Sequence, residues 1–394
     1  MKRLPILASS DTCTGCLACV DICSTNAIKK VNKDDGHIYS VVDVERCVGC
    51  KKCESVCSLA RSEYGNNDIA QTKPFAVWAN DSQLRSNSTS GGVFAALAKY
   101  IIENGGYVVG ATFDGRRCYH KMISKTEEIP LLQGSKNTES DMEGIYRQIA
   151  SVLPKHSVLF SGLGCQVGAI TSFFSKHPFR ENLFTIDLVC GGSPSSLLIE
   201  SYLENNKNVE KIVSFRSKEK YELRIVKNGT ITTSSNPNLP LTGFVKELTN
   251  RYSCYDCQYT YAHRRSDITI GDLWGDKEFV DEHKNGISLA MCHSDKGLLL
   301  LEKSDVTKRG IKWSQFLPYN PRVVMGKKHI YDLRRNLTVN YKKYNYETFK
   351  KIYTLDFKPY NIFWFLFKIY HVLIVKNERK KAMNYINRIL SNEN

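Results

Sequence analysis

The sequence has no G-x-G-x-x-G fingerprint, so a nicotinamide site of the usual kind has no support. It has no recognisable nucleic-acid-binding motif either. Its formal net charge is +15, but the Lys and Arg residues are scattered rather than arranged in a stripe. Such a charge favours an acidic partner: nucleic acid (the weakest of these here), an anionic membrane, an acidic protein or a phosphorylated ligand. A solvated basic surface accounts for it equally well. A signal peptide is not expected, because the apolar run in "MKRLPILASSDTC" breaks at Pro5 and Ser9. Without an export signal, fourteen cysteines argue against a disulfide framework. A reducing cytoplasm is expected, where clustered thiols are metal ligands or redox groups.

The cysteines that are present are concentrated. "CTGCLACVDIC" (13–23) and "CVGCKKCESVC" (47–57) share the spacing C-x2-C-x2-C-x3-C. Zinc ordinarily takes two close pairs separated by a loop. Here three cysteines at intervals of three form a continuous run with no histidine nearby, a loop that can wrap three corners of a cubane. This is the run of bacterial two-cluster ferredoxins, in which the fourth cysteine crosses to the other cluster. On that pattern Cys13, Cys16, Cys19 and Cys57 hold one 4Fe–4S cluster, and Cys47, Cys50, Cys53 and Cys23 hold the second. Gly15 and Gly49 let backbone N–H groups approach the sulfides. Ser24 and Ser58 stand where such runs usually carry proline, a change that removes no ligand.

A chain of 394 residues is too long for one small core, and two or three domains are expected. Its 42% hydrophobic and 24% charged residues are ordinary for a globular protein. The reading is mixed α/β (α+β): a ferredoxin-like module over 1–65, a larger α/β body over 66–320 and a helical extension over 321–394. "EYGNNDIAQTKP" reads as the linker between the first two. Strands are expected at 75–79, 107–113, 157–162, 183–190, 266–275 and 287–292, and a hairpin at 222–233 around Asn228–Gly229. A helix over 91–106 is expected, with Ser90 as N-cap and Val93, Leu97, Tyr100 and Ile101 on one face. "NIFWFLFKIYHVLIV" (361–375) is apolar but interrupted by Lys368 and His371, which is too short and broken for a bilayer span. A helix docked on the core is preferred, and a peripheral membrane contact is the alternative.

Two stretches suggest an anion site on the body. "SNSTSGGVFAAL" puts small residues, among them Ser90, Gly91 and Gly92, at a helix N-terminus, where backbone N–H groups favour a flavin or nucleotide phosphate. "LLQGSKNTES" offers Gly134, Ser135 and the point charge of Lys136. An ordinary cap and a surface turn explain the same residues. Cys165 and Cys190 each follow a strand directly, where ligands of open sheets collect, and Cys254 and Cys257 form a C-x2-C pair. A buried apolar thiol is the plain alternative for any one of them, and the preferred one for Cys118 and Cys292.

Together "STSGG", "GSK", "GLGCQVGAI", "DLVCGGSPSS", "SCYDCQY" and "SDITIGDLWG", in that order behind a two-cluster module, resemble the coenzyme F420-reducing hydrogenase and dehydrogenase beta subunit family over roughly residues 8 to 300. The resemblance implies an iron–sulfur flavoprotein carrying FAD, with a ferredoxin-like or F420-type electron carrier as partner. Some members belong to surface-polysaccharide pathways. FAD phosphates are then expected near Ser90, Gly91, Gly92, Gly134, Ser135 and Lys136. Two departures stand out: Leu163–Gly164 where the family has Thr-Pro, and Gly191 where it has His. They put the usual substrate in question but not the cofactors. Cys165, Cys190, Cys254 and Cys257 supply the four thiolates of a third cluster, and all fall within the shared motifs. Zinc takes the same number. A redox cluster at the strand-end edge could connect the flavin to the ferredoxin module, which a structural zinc could not. The expected function is an oxidoreductase. An electron-transfer adaptor subunit without a substrate site is the second reading.

Overall fold

The structure is a computed structural model. It describes residues 3–57, 71–218, 220–234, 238–245, 249–260, 264–275 and 277–324, with scattered helical positions between 346 and 391. Most of the expected linker and the apolar stretch 361–375 lie outside the described residues, apart from Leu373. Among the described residues no helix is long and apolar enough to cross a membrane.

The cysteine-rich segment folds around a two-stranded antiparallel ribbon, β1 (Ile28–Asn32) and β2 (Ile38–Val42). Each cysteine run makes the same turn. Gly15 and Gly49 have φ of 70° and 73°, and Leu17 and Lys51 follow at 60° and 61°. Two left-handed residues in one short loop curl the backbone inward. At Leu17 and Lys51 this stores strain of about 1–3 kcal/mol each. Short helices Ala18–Asp21 and Lys52–Val56 follow the turns.

The body is built on a nine-stranded mixed sheet among the described residues, in the order β14-β3-β13-β12-β8-β7-β4-β5-β6. Its strands are β3 (Lys73–Ala79), β4 (Tyr107–Phe113), β5 (Cys118–Ile123), β6 (Ser140–Asp141), β7 (Val158–Leu163), β8 (Leu183–Leu188), β12 (Ile268–Asp272), β13 (Ser288–Cys292) and β14 (Val306–Gly310). A smaller antiparallel sheet comprises β9 (Val209–Arg216), β10 (Tyr221–Lys227) and β11 (Thr230–Thr233). Strands β4, β7, β8 and β12 run parallel. β3 runs in the same direction, since β13 is antiparallel to both it and β12. Their carboxyl ends therefore open at one edge, the place where open α/β sheets bind ligands.

Alternation along the strands covers both faces of the sheet. Val108 and Leu159 pack with Leu97, Ile101 and Leu301 on one face. Val109, Val158 and Phe160 pack with Ile145, Ile149 and Ile170 on the other. That second core also takes in Ala18 and Val56, so the cysteine-rich module is packed into the body. Two expectations need correcting. The helix Val93–Glu103 is not capped by Ser90. Its N-cap is Gly92, at φ 77°, a conformation a β-carbon disfavours, and the Ser90 hydroxyl instead donates to Ile287 O at 2.8 Å. The strand expected to reach Cys190 ends at Leu188, which leaves that thiol in the loop beyond the sheet edge.

Candidate functional site: three thiol groups and a cavity at the sheet edge

In the N-terminal module Cys13, Cys16, Cys19 and Cys57 line one small cavity, with Thr14, Gly15 and Ser40. Cys23 is not among its walls. Burial pushes the thiols of Cys13 and Cys19 up and that of Cys16 to about 11, and Cys57 adds to the rise in each. Cys53 is raised by its own burial and by Cys50 and Cys23. Cys47 is buried and Cys50 is exposed. Backbone N–H groups point at sulfur from Gly15 to Cys13 (3.5 Å) and from Ala27 to Cys23 (3.3 Å).

Asp21 ties this module to the body. Its buried carboxylate accepts from the backbone N–H of Gly144 (2.9 Å) and Tyr146 (3.1 Å), at the start of the helix Ile145–Val152, and from Arg147 (3.2 Å). The helix thus receives its terminal anion from another module. The Tyr146 hydroxyl returns the contact by donating to Cys16 O at 2.7 Å.

Cys165, Cys190, Cys254 and Cys257 line a second cavity. Cys165 is the second residue of the helix Gly164–Phe173, which directly follows β7. The glycines of "GLGCQVG" have a packing reason. A β-carbon at Gly164 or Gly168 would run into Tyr259, so the loop carrying Cys257 seats on the helix that carries Cys165. Gln166 holds the turn by accepting from Leu163 N at 2.8 Å. Gly192 N donates to Cys190 Sγ (3.2 Å) and Ser193 N to Cys254 Sγ (3.4 Å). Burial pushes the Cys165 thiol well up, and Cys257, Cys190, Cys254 and Cys16 push it further. Burial likewise raises Cys190, Cys254 and Cys257. Four neighbouring buried thiols resist becoming thiolates together unless a cationic centre compensates them. Among the described residues no three or more His, Cys, Asp or Glu side chains are gathered as a single metal ion requires. The thiols line one space, and four thiolates are the ligand set of a 4Fe–4S cluster or of a zinc ion. Cys118 lines the large cavity described next and Cys292 is buried in β13.

A cavity of about 590 Å³ opens along the sheet edge, within the range of cofactor pockets. Ser90, Gly92, Gly134, Ser135 and Lys136 line it. Gly91 does not. It lies against the sheet, where a β-carbon would stand 2.5 Å from Val77 O, and its N–H donates to Ser288 Oγ. No side chain caps the helix Val93–Glu103, whose first turn faces the cavity. The Lys136 ammonium donates to Leu132 O and Gln133 O, each at 2.7 Å, and burial lowers its pKa to about 8. Three buried polar atoms on this wall have no partner: Gln133 Oε1, Asn137 Nδ2 and Thr138 Oγ1. These atoms leave donors and an acceptor free for a ligand in the cavity.

Sequence reasoning missed the rim. Arg216 and Tyr221 come from the small sheet, and Trp274, Tyr319 and Arg322 from segments near β12 and after β14. Arg216 pairs with Asp272 at 2.6 Å and lies over the rings of Tyr221 and Trp274. The only hint in the sequence is Trp274 within "SDITIGDLWG".

Residues 155–311 match the family model for the C-terminal part of the coenzyme F420 hydrogenase/dehydrogenase beta chain, and residues 12–59 that of a 4Fe–4S dicluster domain. No curated protein matches the chain. One similar solved structure is the F420-reducing [NiFe] hydrogenase complex from Methanosarcina barkeri, studied by xenon derivatization. It is 17% identical, with a TM-score of 0.46 over 63% of this chain and 84% of that one. That overlap is too loose to carry weight beside the two family matches. The chain thus joins a 4Fe–4S dicluster domain to a region similar to the C-terminal part of the coenzyme F420 hydrogenase/dehydrogenase beta subunits, an oxidoreductase family.

Proposed function

We propose that the protein is an iron–sulfur flavoprotein oxidoreductase linking a ferredoxin or F420-type carrier to a substrate of its own. FAD would lie in the large cavity, a third 4Fe–4S cluster between Cys165, Cys190, Cys254 and Cys257, and two clusters in the N-terminal module. When bound, FAD exchanges electrons in pairs and the clusters pass them singly. One observation carries the reading: the cavities share walls in series. Cys190, Gln166 and Arg322 line both the large cavity and the Cys165 cavity, and Thr14 lines both the latter and the Cys13 cavity.

The chain's own part is to hold and insulate. The uncapped helix start and Lys136 offer N–H donors to phosphate, while Gln133, Asn137 and Thr138 offer unpaired polar atoms to the rest of the ligand. Arg251 and Ser253 donate to Cys13 O at 3.2 and 3.1 Å, fixing the first cysteine loop against the segment that carries Cys254.

The test is anaerobic purification, flavin analysis, and assay of flavin reduction by reduced coenzyme F420, NAD(P)H and reduced ferredoxin. Bound FAD reduced by at least one carrier is expected. Protein that binds no flavin even on reconstitution overturns the flavoprotein reading. If its clusters still accept electrons from a carrier, it is an electron-transfer adaptor.

A further inference from the structure

The cavity walled by Cys165, Cys190, Cys254 and Cys257 is also lined by three arginines, Arg251, Arg264 and Arg322. Two of these are almost fully enclosed, at 1% and 2% exposure. Both are bound in the same way. Arg251 uses its Nη atoms on Cys13 O, Ile38 O and Glu139. Arg264 uses its Nη atoms on Asp187 (3.0 Å), Arg322 O (3.2 Å) and Val323 O (2.9 Å). In each the Nε–H is buried without a partner. Buried N–H groups are rarely left unmade. Two orphaned donors, on two arginines of one cavity, point to an acceptor there that protein atoms do not supply.

The sulfur of an iron–sulfur cluster is such an acceptor. We propose that Arg251, Arg264 and Arg322 form a guanidinium cage around the group held by Cys165, Cys190, Cys254 and Cys257. The Nε–H groups of Arg251 and Arg264 donate to its sulfur, and the cage raises its reduction potential above those of the two N-terminal clusters. This rests on the third-cluster reading above. A cluster with four thiolates becomes more negative on taking up one electron. Cations and N–H donors close to sulfur stabilise that added charge, as hydrogen bonds and net charge do at iron–sulfur centres generally. The carboxylates of Glu139 and Asp187 offset part of the charge of Arg251 and Arg264, so the two unpartnered Nε–H donors and Arg322 carry the effect. Glu139 also accepts from His37 and from Ile38 N, both at 3.0 Å, and Asp187 also accepts from Ser266 and Thr269, so both are held by several donors. Arg251 also donates to Cys13 O in the N-terminal module, whereas Arg264 donates to Asp187, Arg322 O and Val323 O in the body. The cage would make the third group the electron sink between the flavin cavity and the ferredoxin module.

The experiment is an EPR-monitored redox titration of the anaerobic, fully loaded protein and its Arg322→Gln, Arg322→Lys and Arg264→Lys variants. Arg322 is half-buried, so its substitution leaves the core intact, and Arg264→Lys keeps a charge beside Asp187 while removing the Nε–H. In the parent protein one cluster should have a higher midpoint than the other two. In Arg322→Gln and Arg264→Lys that cluster alone should become at least tenfold harder to reduce, about 59 mV for one electron. Arg322→Lys should stay near the parent value. A parent cluster that is no easier to reduce than its neighbours, or two variants that leave it unmoved, overturns the cage. Iron for only two clusters in the parent protein overturns the third-cluster reading itself, and iron analysis shows this before any titration.

Discussion

Arg251 occupies the space that a side chain at Gly15 would need. A β-carbon there would stand 2.5 Å from Arg251 Nη2 and 2.7 Å from Glu139 Oε1. The first cysteine loop is therefore glycine for two reasons, its φ of 70° and the buried ion pair seated against it. Gly105 separates the two. Its φ is 76°, and nothing lies within 4 Å of its β-carbon position. Gly105→Ala should cost only the backbone penalty, about 1–2 kcal/mol. Gly15→Ala should cost more and should also lower iron content by displacing Arg251 from Cys13 O. Denaturant midpoints with iron assays on both variants check this. Equal losses of stability and no loss of iron would show that the pair does not hold the loop.

Asp21 is the corresponding tie on the other side of the module. Asp21→Ala leaves the N–H groups of Gly144 and Tyr146 without their acceptor inside a buried seam. A loss of about 1–3 kcal/mol is expected, with a smaller loss for Asp21→Asn, which retains one acceptor oxygen. Thermal unfolding of the loaded protein measures it. If the two substitutions match, the charge rather than the hydrogen bonding is what matters.

These two ties show what the sequence could and could not convey. The doubled cysteine run and the short apolar runs of β3, β4, β7, β8 and β12 are local patterns, and both were readable. The partners of Asp21 and Gly15 lie more than a hundred residues away, and no spacing rule connects them. The same is true of Arg216 and Tyr221, which a separate small sheet brings to the rim. Ser90 looked like a cap because serine before an apolar run usually is one. Here the left-handed Gly92 took that position and freed Ser90 to bond across to Ile287. The short β5, β6 and β14, at or near the sheet edges, carry too little periodicity to stand out.

Lys136 gives the cavity a pH signature. Its folded-state pKa is lowered from 10.5 to about 8 by burial. Between those values the unfolded chain binds the proton that the folded chain has lost. The ligand-free protein should therefore gain stability from this group as pH rises through that window. Anion binding runs the other way, because the ammonium form attracts phosphate. Affinity for FAD should fall as pH rises past about 8. Lys136→Met should weaken binding below pH 8 and flatten the profile. Fluorescence titration of apo-protein with FAD between pH 6.5 and 9.5 measures both effects. A parent profile without a break near pH 8 would remove Lys136 from the phosphate site.

The four thiols of the body make the most direct prediction. They come from three separate segments between Cys165 and Cys257, yet they wall one cavity. Each is buried enough to resist ionising alone. Such a site has little purpose without the metal that would hold its thiolates. Replacing Cys254 and Cys257 together by Ser removes two of the four ligands but leaves Cys13, Cys16, Cys19, Cys23, Cys47, Cys50, Cys53 and Cys57 untouched. About four irons should be lost, with roughly eight retained. Zinc analysis of the parent protein runs alongside, since one zinc lost without iron would identify the other four-thiolate centre. The module is packed into the body through Ala18 and Val56, so folding must be checked separately. Retained absorbance and EPR signals of the two N-terminal clusters serve that purpose. With those signals intact, unchanged iron in the double variant would rule out a cluster at this site.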